Sequence, residues 1–130
     1  MKRLDPKDLA GKPGDPAYFT GAVLLRTMGE TGAPTNVKLF RVEFPAAART
    51  NWHTHSGVQV LFVAAGRCRF QHAGGAVEEA GTGETIWIPA GEKHWHGATP
   101  DAPMVHVALN VDLETEWLEP VTDEHYRGQP

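Results

Sequence analysis

The chain holds a single cysteine, Cys68, so no internal disulfide can staple it and its stability has to come from a packed core. That usage suits a reducing compartment. No apolar run approaches the length of a membrane span, and the amino terminus, MKRLDPKDLAGKPGDP, carries charge without the apolar stretch of a secretory leader. A soluble, cytoplasmic protein with no membrane partner is therefore expected. Basic residues are sparse and scattered: 12 Lys and Arg stand against 16 Asp and Glu, a net charge of -4. Nucleic-acid binding usually needs a clustered basic face, which sets that class aside. Helical periodicity is also scarce, confined to the tail LETEWLEPVTDEHYR, where Pro120 interrupts it.

What is present is alternation. The 130 residues suffice for one domain, 1–130, and no second. Residues 1–16, with three prolines and two glycines, predict an extended arm on the surface or on a neighbouring subunit. Tyr18 to Arg26 reads as a first strand with Gly21 a candidate bulge, followed by a loop over TMGETGAPT. Asn36 to Phe44 alternates, with Phe40, Val42 and Phe44 turned inward. Further strands are expected at Val58–Ala64, Arg67–His72, Thr85–Ile88 and Met104–Val111, the second closed by a Gly74-Gly75 hairpin signal beside an exposed His72. Residues from about 112 to 130 form the tail. Many short strands with almost no helix predict an all-β, antiparallel double-sheet jelly roll.

Two blocks carry the chemistry. The first, Arg49 to Gly66, contains His-x-His-x3-Gln-x6-Gly; the second, Gly83 to Ala98, contains Gly-x5-Pro-x-Gly-x2-His. His53 and His55 lie two apart on a strand, so both imidazoles share a face, while Trp52 and Thr54 turn to the other side. The Ser56-Gly57 turn lets Gln59 return to the same face, and Pro89-Ala90-Gly91 swings His94 towards it. A lone histidine on a strand is ordinary. Three, joined by a side-chain oxygen, suit a divalent first-row metal.

These blocks resemble the two signature motifs of the cupin family, small jelly-roll barrels with a metal in the barrel mouth. One departure is Gln59, where the family usually has Glu. The strings RTNW before the first block and IWIPAGEKHWHGATP around the second are similar to the manganese-dependent hydroxynitrile lyases of the cupin type. The resemblance implies one divalent ion per chain on His53, His55, Gln59 and His94: manganese, with iron, nickel or zinc as alternatives. It also implies a homodimer or homotetramer, since cupins usually cover their edge strands with another chain; YFTGAVLL is the candidate edge.

Around that ion, His96 shares the face of His94 and His106 turns inward from another strand, which makes both candidates for acid/base catalysis. Thr50 and Asn110 are candidates to orient a substrate by hydrogen bonds; Phe40, Val42, Leu61, Val63 and Ala108 should wall the pocket. A small hydrophobic substrate with one oxygen for the metal is expected. Glutamine leaves the full divalent charge in place, which favours Lewis-acid chemistry over oxygen redox chemistry. Reversible cleavage of a cyanohydrin to an aldehyde and hydrogen cyanide is what the resemblance implies. A cupin dioxygenase and a non-catalytic small-molecule-binding cupin remain the alternatives.

Overall fold

The computed structural model describes residues 1–129. A short 3-10 turn at Pro6–Asp8 precedes β1 (Lys12–Pro13), β2 (Phe19–Thr20), β3 (Leu24–Glu30), β4 (Val37–Phe44), β5 (Arg49–Thr50) and β6 (His53–His55). Next come β7 (Gln59–Ala65), β8 (Arg67–His72), β9 (Glu78–Gly81), β10 (Thr85–Ile88), β11 (His94–Ala98), β12 (Met104–Val111), β13 (Thr115–Trp117) and α1 (Asp123–Tyr126). One antiparallel sheet has the order β1-β3-β4-β12-β7-β10. The other runs β13-β6-β11-β5-β2, with β8 also on β11 and β9 on β8. The sheets face each other as a jelly roll, and the inward residues of both fill the space between them: Val42, Phe44, Leu61, Val63, Ile88 and Met104 are all buried.

Several expectations are corrected. The first strand does not run unbroken from Tyr18 to Arg26. After Thr20 the chain bends at Gly21, which has a φ of 93°, and crosses from one sheet to the other. A side chain at Gly21 would run into Ala48, so glycine is needed for both conformation and space. β3 then continues to Glu30, through part of the expected loop, with a register shift between Thr27 and Gly29. Only Phe19 and Thr20 of YFTGAVLL lie at a sheet edge, because β1 of the arm pairs with Leu24 and Leu25.

The tail differs most. Thr115–Trp117 is a strand, paired with His55 to His53 of β6, and helix is confined to Asp123–Tyr126 under a Thr122 cap. The same segment then covers Trp52, which is 7% exposed and forms a second apolar cluster with Trp95, Val121 and Tyr126. Trp52 does lie on the side away from His53 and His55, but that side is roofed. Arg49 ties the roof down: its Nη2 donates to Val121 O at 2.7 Å and to Asp123 Oδ1 at 2.8 Å. No helix among the described residues is long and apolar enough to cross a membrane.

Candidate metal centre and pocket

β6 and β11 are neighbours in one sheet, with His53 directly opposite His94. The pleat turns His55 and His96 to the same side as these two. The ring centroids of His53 and His94 lie 4.2 Å apart, those of His53 and His55 4.9 Å, and those of His55 and His94 5.0 Å. Among the described residues, the tightest set of ligand atoms belongs to His53, His94 and His96, all within 4.8 Å of one another. These three could hold a metal ion.

Backbone carbonyls aim two of the rings. His53 Nδ1 meets Asn51 O at 2.9 Å and His94 Nδ1 meets Glu92 O at 2.8 Å, which leaves each Nε2 as the atom for a ligand. From the opposite sheet, Gln59 donates through Nε2 to Asn110 Oδ1 at 2.8 Å. In that orientation Gln59 Oε1 is buried without a partner. His55 Nδ1, His94 Nε2, His96 Nε2 and His106 Nδ1 are likewise buried and unpartnered. Buried polar atoms rarely go unpaired. A group of neutral nitrogens and one amide oxygen left so is a donor set that fits a divalent first-row ion.

His96 is held differently. Its Nδ1 lies 3.0 Å from His106 Nε2, an imidazole pair across the two sheets in which one ring donates to the other. Its backbone N–H donates to Thr50 Oγ1 at 3.2 Å. Phe44 packs against His106 with centroids 5.1 Å apart. Burial is the main reason every ring of the cluster is hard to protonate. It holds His55 and His106 down to about 4, and it lowers His94 and, well below the usual histidine range, His53 and His96. Neighbouring imidazoles add to the effect at His53, His55 and His96. The cluster is neutral at pH 7 and offers lone pairs.

A cavity of about 190 Å³ opens onto these groups. Thr50, Phe40, Val42, Ala108 and Asn110 line it as expected, beside His53, His55, Gln59, His96 and His106. Leu61 and Val63 do not: both lie deeper, with no exposed surface, in the core. Phe19, Leu25, Thr115 and Trp117 line it instead, from positions the sequence reading does not single out. Trp117 lies 4.7 Å from His53 between ring centroids and is stacked in turn by Tyr18 at 4.8 Å. The available signal for Trp117 is its alternation with Thr115.

Known proteins agree with this architecture. The cupin domain family matches residues 40–110. A curated (R)-mandelonitrile lyase of Granulicella tundricola is 42% identical over 130 residues, covering 98% of each chain. Among solved structures, a cupin-like protein of Thermotoga maritima is similar with a TM-score of 0.86 and 34% identity, covering 92% of this chain and 93% of that one. A polyketide cyclase of Streptomyces resistomycificus shares the fold with a TM-score of 0.72 at 24% identity, over 98% and 91% of the two chains. With both signature blocks at the mouth of a jelly roll and these relatives along its length, the chain belongs to the cupin family.

Proposed function

We propose that the protein is a metal-dependent hydroxynitrile lyase, cleaving a cyanohydrin of a small hydrophobic aldehyde to the aldehyde and hydrogen cyanide, or forming it in reverse. The observation that carries this reading is the buried His96–His106 pair beside a neutral three-histidine and amide cluster, in a chain 42% identical to a mandelonitrile lyase. Of the three histidines whose ligand atoms lie within 4.8 Å of one another, we assign His53 and His94 to the ion with His55 and Gln59, and keep His96, engaged by His106 through Nδ1, for the proton; manganese is the first choice of ion, with iron, nickel or zinc alternatives. When bound, a divalent ion on four neutral ligands supplies Lewis acidity undiminished by ligand charge.

The remaining steps belong to the chain's own residues. His96 differs from His53 and His94 in that its Nδ1 meets another imidazole rather than a carbonyl, so it is the ring suited to moving a proton. It takes the cyanohydrin hydroxyl proton. The bond to the nitrile carbon then breaks, its electron pair leaves as cyanide, and the imidazolium returns the proton to make hydrogen cyanide. His106 keeps His96 oriented through the 3.0 Å contact. Asn110 fixes Gln59, and Thr50 anchors the backbone of His96 while its own hydroxyl proton is free for the substrate. Phe40, Val42 and Ala108 keep water from the departing groups.

The test is cyanide release from mandelonitrile by metal-analysed protein, with oxygen uptake followed in the same vessel. Equimolar cyanide and benzaldehyde without oxygen consumption is the expected result, lost together with the metal in His53→Ala and His94→Ala. Metal-replete protein that releases no cyanide, or that consumes oxygen, overturns the proposal.

A further inference from the structure

We infer that the pocket continues into a second compartment under the amino-terminal arm, which takes the distal part of a longer substrate: an aryl or alkyl chain ending in an anionic group. The inference rests on the proposed lyase reading for the reacting end only. The compartment is a groove of about 940 Å³ between residues 9–16 of the arm and the strands β3 and β4. Phe19, Leu25 and Phe40 line both this groove and the 190 Å³ pocket, so the two cavities meet at these three side chains. The reacting pocket alone is small by the standard of ligand sites, commonly about 300–1,000 Å³. With the groove added, there is room for a substrate several times larger than the reacting group.

The outer wall is built rather than trailing. β1 pairs with β3, Gly14 N donates to Val23 O at 2.9 Å, and Arg26 Nη1 donates to Leu9 O at 2.6 Å. Arg26 is also paired with Glu43, so its charge is answered. Asp15, the one acid lining the groove, turns its carboxylate to Ala17 N at 2.9 Å. Lys38 is different. It lines the groove with its Nζ 5.2 Å from the Phe40 ring centroid and makes no ion pair among the described residues. Lys12, on the arm, adds a second cation. A mainly apolar trough with unanswered ammonium groups and a catalytic pocket at its inner end fits an amphiphilic acid whose far end is a carboxylate.

The test uses cyanohydrins of benzaldehyde extended at the para position by carboxyalkoxy chains, beside their methyl esters and the unextended compound. KM should fall as the chain lengthens, by about fourfold for each methylene the groove fully buries. The carboxylate should be preferred to its ester by about fivefold, an advantage that high salt erases. Lys38→Met should remove the carboxylate preference, and Thr27→Trp, which fills the groove, should remove the gain from length. Both should leave kcat and KM for the unextended compound unchanged. Extended substrates no better than mandelonitrile, or variants that impair the short compound equally, overturn the inference. Calorimetry with unreactive 4-(carboxypropoxy)benzyl alcohol separates the two readings. Lys38-dependent binding to a protein that cleaves no cyanohydrin keeps the groove and overturns the lyase; binding that ignores Lys38→Met overturns the groove whatever the lyase assay shows.

Discussion

Gln59 is held through its amide. Asn110 Oδ1 takes its amide proton, so the carbonyl oxygen is the atom left to the histidines. A glutamate here would have no proton to give Asn110, and two oxygens would face each other until the Asn110 amide turned over. His96 is the sharper test of chemistry at this scale. His96→Ala should retain its metal and lose turnover by about a hundredfold or more, the usual scale of a lost acid/base group, read by elemental analysis and steady-state kinetics together. The buried rings also set a pH window. Burial holds His55 and His106 at about 4, below the ordinary 6.5, so below pH 6.5 the unfolded chain binds more protons than the folded one. Stability of the metal-free protein should therefore be full above pH 6.5 and fall towards pH 4. The slope is about 1.4 kcal/mol per pH unit for each ring that stays neutral. Denaturant titrations across that range check it; a flat profile would mean that the rings find partners once protonated.

At the level of elements, β11 does two jobs by alternation. His94 and His96 face the pocket, while Trp95 between them, fully buried, turns its face to the tail, donates to Gln71 Oε1 at 2.9 Å and packs on Tyr126. Tyr126 donates to Ala98 O and lies beside the Arg49 and Arg69 guanidiniums. Tyr126→Phe should cost about 1 kcal/mol, for the hydrogen bond alone. Tyr126→Ala should cost about 3 kcal/mol or more by opening the cluster, both read from denaturation midpoints. This arrangement also explains what the sequence does and does not disclose. Arg67–His72, Thr85–Ile88 and Met104–Val111 are legible to the residue, because each alternates between clear turn residues. The tail is not. Leu113, Trp117 and Val121 recur at helical spacing, yet Thr115 and Trp117 also alternate, and what decides is the open edge of β6, a partner about sixty residues away. The gathering of histidines on one face follows from spacing within two short blocks, whereas Phe19, Leu25 and Trp117 reach the pocket only through how the sheets close.

For the whole molecule, one apolar patch stands open to solvent. Trp87 is 70% exposed on the edge strand β10, beside Phe62 on β7, 45% exposed, and Val58 just before that strand, 44% exposed. Exposed apolar residues grouped on one sheet face mark an association site, and we propose that a second copy covers them. Trp87→Glu should shift the protein to a smaller species in sedimentation while leaving its metal content unchanged. The pairing of the tail with β6 has another consequence, one of timing. His53 has His94 on one flank and Trp117 on the other, so the strand carrying the first two histidines stays unflanked until chain made much later reaches it. On the ribosome, the nascent protein can expose both histidine blocks before that second flank exists. The histidine face is complete only once Thr115–Trp117 has also been made and has closed the sheet.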